Sequence, residues 1–371
     1  LIFTMRYLIS GGGTGGHIFP AVSIANALKQ LDPQADILFI GALGRMEMER
    51  VPQAGYKIIG LPVRGFNRAQ PWKNFSVLWD LLRSIIQVRK IIRDFKPQVG
   101  VGVGGYASGA AMWAAAKMGI PILLQEQNGF AGVTNKMLRN DAAKICVAYE
   151  GMERFFPADK IIMPGNPVRQ SLLNANISKA NAVKSFGLKP NVPTVLIIGG
   201  SLGARTINES ILAHLDEIHN SEVQFIWQTG KYYESEMQAF LKEHPTKNIW
   251  QGAFIDRMDY AYAASDVAIS RSGACTVSEL CLVAKPTVFV PSPNVSEDHQ
   301  TKNAMALVEK GAAAIVPDSE AVERGMAVAL ELVANKEQLE ALRLNIAKLA
   351  ISDAADRVVN EIEKELSKAQ K

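Results

Sequence analysis

Cysteine is scarce: the 371-residue chain has three, Cys146, Cys275 and Cys281, and no C-x-x-C pair. Its five histidines are scattered, with no H-x-x-x-H or similar spacing. A disulfide framework and a structural metal site are therefore not expected, and a reducing compartment is. A signal peptide is not expected either, since residues 1–4 are too short for its apolar core and are consistent with upstream residues. Nor does charge of one sign dominate: the net +4 permits an anionic partner without identifying one. One uncharged run, over 99–116, has the length of a membrane span. Its glycines and its YASG centre (106–109) read instead as buried strand, turn and helix.

What is present is an ordinary globular balance, 48% hydrophobic and 20% charged, on a chain too long for one core of usual size. Short apolar runs alternate with helical patterns: DILFI (36–40), KIIGL (57–61), QVGVG (98–102) and IPILLQ (120–125). Continuous apolar strands are covered on both faces, which predicts parallel sheets with crossover helices. The Pro/Gly-rich MPGNPVRQ (163–170) breaks the rhythm, and a second series starts at TVLIIGG (194–200) and runs through VQFIWQ (223–228), NIWQG (248–252), SDVAIS (265–270) and PTVFVP (286–291). The expected fold is α/β, with two doubly wound, Rossmann-like domains and the crevice between them as the expected ligand site. Expected boundaries are 1–164, 165–350, and a terminal helix over 351–371 that packs back on the first domain.

Both halves begin as strand, glycine turn, helix. The first turn, GGGTGGHIFP (11–20), matches G-x-G-x-x-G through Gly11, Gly13 and Gly16. A dinucleotide site would also need an acid at the end of the second strand, and FIGALGR (39–45) offers none. The geometry of an anion-accepting helix start survives; the NAD reading does not. The second turn, GGSLG (199–203), fits the G-x-S-x-G elbow of hydrolases, but a phosphate-holding hydroxyl is equally natural for Ser201 there. A third candidate, RSGACTVSEL (271–280), presents small residues at a helix start and Glu279 further along, suited to a diphosphate and to vicinal ribose hydroxyls. A fourth, QEQNGFAGVTNK (125–136), crowds Glu126, Gln127 and Asn128 at a strand end, where substrate hydroxyls are usually read.

Together these segments resemble the MurG family of N-acetylglucosaminyltransferases. The resemblance rests on GTGGHIFPA (13–21), GVGGYASG (102–109), EQNGFAGVTNK (126–136), GNPVR (165–169), GGSLGA (199–204), RSGACTVSE (271–279) and DHQTKNA (298–304), in order over almost the full length. It implies transfer of N-acetylglucosamine from its UDP donor to the 4-hydroxyl of a lipid-linked muramoyl-pentapeptide, with inversion and without a cofactor or metal. The neighbouring reading is another UDP-sugar enzyme of the same architecture, a lipid glycosyltransferase or an epimerase. By resemblance, Thr14, Gly15, Gly16 and Asn128 lie near the donor sugar and diphosphate, and Arg169 and Ser201 contact the nucleotide. The backbone of Ile255 meets uracil. Ala274, Cys275 and Thr276, with Val277 and Ser278 next along the helix, face the diphosphate; Glu279 takes the ribose and Gln300 reaches the sugar. The sequence departs from the family in having Gln125 where His is common and Leu202 where Gln is common.

Such a displacement needs a base for the acceptor hydroxyl and stabilisation of departing UDP. The chain has no D-x-D carboxylate pair, so helix N–H groups are expected to hold the diphosphate. His17 is the first candidate base, because it opens a helix whose positive end favours a neutral, proton-accepting imidazole. Glu126 is the second, and Tyr106 is a candidate hydroxyl contact. The acceptor's polyprenyl tail requires a membrane surface without a membrane span. PWKNFSVLWDLLRSIIQVRKIIRDFK (71–96) is a basic amphipathic segment with aromatics, and Trp72, Lys73, Trp79, Arg83 and Arg89, together with Trp113, are expected to dock on an anionic leaflet. The expected location is peripheral, on the cytoplasmic face of the inner membrane. No nucleic-acid partner is expected.

Overall fold

A computed structural model describes residues 4–65, 74–173, 176–295 and 298–369. The chain forms two units: Leu1–Arg169 with Asp353–Lys371, and Gln170–Ser352. Residues 165–169 thus count with the first unit, a few residues beyond the turn where the expected boundary falls. The reason is local pairing: Gly165 N–H donates to the Val147 carbonyl, and Asn166 is hydrogen-bonded to Gln125 and Gln127.

In the first unit, the strands β1 (Arg6–Gly11), β2 (Asp36–Ala42), β3 (Lys57–Leu61), β4 (Val99–Gly104), β5 (Ile122–Glu126), β6 (Lys144–Val147) and β7 (Ile161–Ile162) form one sheet in the order 3-2-1-4-5-6-7. Every recorded pairing is parallel. The apolar runs explain this: successive side chains of β1 feed opposite layers, Leu8 into one core and Tyr7 and Ile9 into the other. The run over 99–116 is β4 followed by a helix, Tyr106–Lys117, as expected.

Between the first four strands run α1 (Gly15–Leu31), α2 (Glu47–Gln53) and α3 (Asn74–Phe95), and α4 (Tyr106–Lys117) follows β4. The last helix, Ala354–Ala369, places Ala355, Val358, Val359, Ile362 and Leu366 in the same core as Ile24 and Leu28 of α1. That spacing is one helical stripe, so the chain's end covers the outer side of α1.

In the second unit, β8 (Thr194–Ile198), β9 (Gln224–Gln228), β10 (Ile249–Gly252), β11 (Val267–Ser270), β12 (Thr287–Phe289) and β13 (Ala314–Ile315) form a parallel sheet in the order 10-9-8-11-12-13. Strand order reverses at β1/β4 in one sheet and at β8/β11 in the other. Doubly wound sheets bind ligands outside the carboxyl ends of the strands at such points. Both glycine turns lie there.

Candidate active site

At the first reversal, β1 and β4 run so close that only glycine fits between them. A Cβ on Gly11 would meet Val103 Cβ at 2.9 Å, and one on Gly105 would meet the Gly12 carbonyl oxygen at 2.6 Å. The pairing of β1 with β4 is irregular between Ser10 and Gly11, and Gly104 and Gly105 take φ of 99° and 94°, which favour glycine. A Cβ on Gly104 would sit 2.9 Å from His17 Nε2, so the imidazole lies against the β4 turn. His17 Nδ1 is 2.9 Å from the Gly12 carbonyl oxygen. A carbonyl only accepts, so Nδ1 carries the hydrogen, and in the neutral ring Nε2 keeps its lone pair. His17 is half-buried, while Thr14 and Gly16 are exposed at the start of α1. Tyr106, at the first position of α4, is exposed and lays its hydroxyl over Gly65.

Glu126, the second candidate base, is engaged elsewhere. It is buried; Oε1 accepts from Asn128 N–H at 3.2 Å, and Oε2 accepts from Gly132 N–H and Asn135 Nδ2 at 2.9 Å each. Both oxygens hold the loop that carries Asn128. This makes Glu126 an organiser of that loop and argues against a proton-accepting role. Gln125, at the position where the family commonly has His, is fully buried. Its Nε2 donates to Asn166 Oδ1 at 3.2 Å, and Asn166 Nδ2 donates to the Gln127 carbonyl at 3.1 Å. The Gln125 side chain therefore ties β5 to the GNPVR turn. The Arg169 guanidinium stacks 4.0 Å above the Phe19 ring of α1.

Two residues without a role in the sequence analysis stand out here. Glu47, at the start of α2, is fully buried; its Oε2 accepts from Gly13 N–H at 2.9 Å and its Oε1 from Ala42 N–H at 3.0 Å. The acid absent from the end of β2 is thus supplied just beyond it, and it binds the glycine turn rather than facing outward. In the second unit, Gln228 ends β9. Its Nε2 donates to the Gly200 carbonyl and its Oε1 accepts from Ile255 N–H, each at 3.0 Å. Ile255 N–H is therefore already used.

The second glycine turn packs against Gly230: a Cβ there would lie 2.0 Å from Gly203 N. Ser201 is half-buried and Leu202 is exposed on this turn. Beside it, Arg271 joins three segments, donating to the Val290 carbonyl at 2.9 Å, Thr206 Oγ1 at 3.1 Å and Asp318. The helix Ala274–Leu282 begins after Gly273, with no side-chain cap. Its first intrahelical bond in this turn is from Val277 N–H to the Gly273 carbonyl, so the N–H groups of Ala274, Cys275 and Thr276 point out of the helix start. Ser278 Oγ donates back to the Ala274 carbonyl at 3.0 Å, and Val277 is buried. Glu279 is buried and accepts from Tyr262 OH at 3.1 Å. Gln300 Oε1 accepts from Ser292 N–H at 2.9 Å, and Ser272 Oγ donates to the Gln300 carbonyl at 2.8 Å. Among the described residues, no group of three or more His, Cys, Asp or Glu side chains is placed to hold a metal ion.

On α3, Leu78, Trp79, Leu82 and Ile86 are exposed, Ile86 by 68% and Trp79 by 59%. Val77, Val88 and Ile92 face the core. The Arg83 guanidinium lies 5.5 Å from the Trp79 ring centroid and that of Arg89 lies 5.8 Å from Trp113. Trp72 and Lys73 lie outside the described residues. Among the described residues, no helix is long and apolar enough to cross a membrane.

Two doubly wound units, each with a glycine turn and a helix start at its strand-order reversal, define a class by fold: the α/β proteins built from two Rossmann-like domains. Comparison with known proteins narrows this. The glycosyltransferase family 28 N-terminal domain matches residues 7–147 and the family's C-terminal domain matches residues 194–358. A relative from Parabacteroides distasonis, named UDP-N-acetylglucosamine--N-acetylmuramyl-(pentapeptide) pyrophosphoryl-undecaprenol N-acetylglucosamine transferase, is 57% identical over 98% of this chain and 99% of its own. A relative of the same name from Bacteroides thetaiotaomicron is 59% identical over 96% of this chain and 97% of its own. The crystal structure of Acinetobacter baumannii MurG superposes with a TM-score of 0.71 at 26% identity, covering 98% of this chain and 100% of that one. A Neisseria meningitidis UDP-GlcNAc 2-epimerase shares the fold, with a TM-score of 0.67 at 17% identity over 97% of this chain and 100% of that one. The chain belongs to glycosyltransferase family 28 and, within it, to the MurG family.

Proposed function

We propose that this glycosyltransferase moves N-acetylglucosamine from UDP-N-acetylglucosamine to the 4-hydroxyl of a polyprenyl-diphosphate-linked muramoyl-pentapeptide, a step of peptidoglycan precursor synthesis, with inversion at the anomeric carbon. The observation that carries the reading is the His17 imidazole, whose Nδ1–H is committed to the Gly12 carbonyl. Nε2 is then the atom that takes the hydroxyl proton as the oxygen attacks. Thr14, Gly15, Gly16 and Asn128 surround the donor sugar and diphosphate, Tyr106 offers a hydroxyl contact, and Glu126 keeps the Asn128 loop in place.

The leaving UDP is stabilised by the N–H groups of Ala274, Cys275 and Thr276, by the hydroxyl of Ser201 and by Arg169. No metal or cofactor is required in this scheme. Uracil is met by the Ile255 carbonyl, since its N–H is held by Gln228. Glu279 accepts from the ribose hydroxyls, with Tyr262 as its present partner, and Gln300 reaches the sugar.

The enzyme visits its lipid-borne acceptor through the exposed stripe of α3, with Trp79, Arg83 and Arg89 and with Trp113 beside them, at the cytoplasmic face of the inner membrane. Trp72 and Lys73 belong to the same basic segment in sequence. Incubation with labelled UDP-N-acetylglucosamine, with and without the lipid-linked acceptor, tests the reading. Label should pass to the acceptor and only in its presence; conversion of the donor without acceptor would instead indicate an epimerase or hydrolase.

A further inference from the structure

The Gly12–Gly13 peptide is gripped at both ends. Its carbonyl oxygen lies 2.9 Å from His17 Nδ1, and its N–H donates to Glu47 Oε2 at 2.9 Å. One amide therefore stands between a buried carboxylate and the imidazole. The surroundings are shaped for this carboxylate: a Cβ on Gly12 would sit 2.2 Å from Glu47 Oε1, and one on Gly41 would sit 2.6 Å from Glu47 Cγ. The other oxygen is fixed by Ala42 N–H at 3.0 Å, at the end of β2. Both oxygens accept from backbone N–H groups, an arrangement suited to a carboxylate, which only accepts.

We propose that Glu47 is a positioning residue for His17, acting through the Gly12–Gly13 peptide as the orienting third member of a carboxylate–peptide–imidazole chain. This rests on the reading of His17 as the base. A carboxylate on the N–H polarises the amide and makes its carbonyl a stronger acceptor, because hydrogen bonds in series reinforce one another. The stronger acceptor holds the hydrogen on Nδ1 and leaves Nε2 to receive a proton. The same bond fixes the ring's direction. In metal sites a carboxylate or carbonyl does this directly for the ligating histidine, and loss of such a partner typically costs about 10–100-fold in metal affinity or activity. Here a peptide unit is interposed, so the effect travels through backbone.

The test uses the full-length protein labelled with 15N in its imidazoles, with the His17 signals assigned by their absence from His17→Gln. In the wild type, the neutral His17 ring should be almost wholly the Nδ1–H tautomer. Glu47→Gln keeps the shape but turns an amide NH2 toward one of the two N–H donors. It should populate both tautomers, lower kcat about 10–100-fold, and leave KM for UDP-N-acetylglucosamine within about twofold. Gly41→Ala, which displaces the carboxylate without removing its charge, should move both readouts the same way and serves if Glu47→Gln does not fold. Glu47→Asp should recover part of the tautomer preference. An unchanged tautomer in the variants, or kcat within about threefold of wild type, overturns the role of Glu47. If the tautomer shifts in Glu47→Gln but His17→Ala keeps wild-type turnover, the coupling stands and the assignment of His17 as base is what fails.

Discussion

Gln228 and Ile255 are joined by a hydrogen bond of 3.0 Å, from the Ile255 backbone N–H to the Gln228 side-chain oxygen, while the Gln228 amide nitrogen holds the Gly200 carbonyl at the same distance. One carboxamide thus sets the spacing between the glycine turn and the loop proposed to meet uracil. Gln228→Ala leaves two backbone groups without this partner, a loss of roughly 1–3 kcal/mol where such groups are buried. The expected outcome is a rise of about tenfold in KM for UDP-N-acetylglucosamine with kcat little changed, read from steady-state kinetics. An unchanged KM would remove Gln228 from the donor site.

The strands were readable in the sequence because both sheets are parallel and covered, so that β1, β5, β8 and β9 appear as unbroken apolar runs. β7 and β13 are two residues each and lie at sheet edges, too short to leave such a signature. The glycine turns were readable for a local reason, since strand, turn and helix start adjoin in the chain. Glu47 and Gln228 were not, because their roles depend on which backbone groups the fold brings to them from 34 and 27 residues away. The pairing of Gly12 and Gly41, both cleared for one carboxylate, was the available trace of Glu47. Glu126 shows the opposite case: a polar residue at a strand end in a plausible catalytic position whose oxygens are spent on the loop itself.

The proposed docking through α3 is electrostatic as well as apolar. Each basic residue near an anionic surface contributes about 1 kcal/mol, screened over about 10 Å at 0.1 M salt. Reversal of Arg83 and Arg89 together should weaken co-sedimentation with vesicles rich in anionic lipid by tenfold or more, and Ile86→Glu should weaken it at high salt as well. Binding unaltered by both changes would exclude this face as the docking surface.

Lys285 supplies a pH dependence. Burial pushes its ammonium down to about 7, against the opposing attraction of Asp266, and its Nζ donates to the Ser265 carbonyl. The folded value lies below the unfolded value of about 10.4, so the folded chain binds fewer protons between them and stability rises with pH across that window. Below about 7 both states are protonated and the cost is fully present. Buried Cys281, pushed up to about 12, acts in the opposite sense above the ordinary thiol range, so the comparison with Lys285→Met isolates the lysine. In urea unfolding, the stability of Lys285→Met relative to wild type should shrink by roughly 1 kcal/mol per pH unit between pH 7.5 and 9. A difference independent of pH would contradict the assignment.

The central proposed step is transfer of the acceptor hydroxyl proton to His17 Nε2. The most direct measurement is the single-turnover rate of His17→Ala with donor and acceptor already bound, which separates chemistry from binding and release. General-base catalysis by a positioned imidazole contributes about 10²–10⁴-fold. The predicted result is a fall in that range with donor affinity unchanged; a rate within about threefold of wild type would show that the proton goes elsewhere.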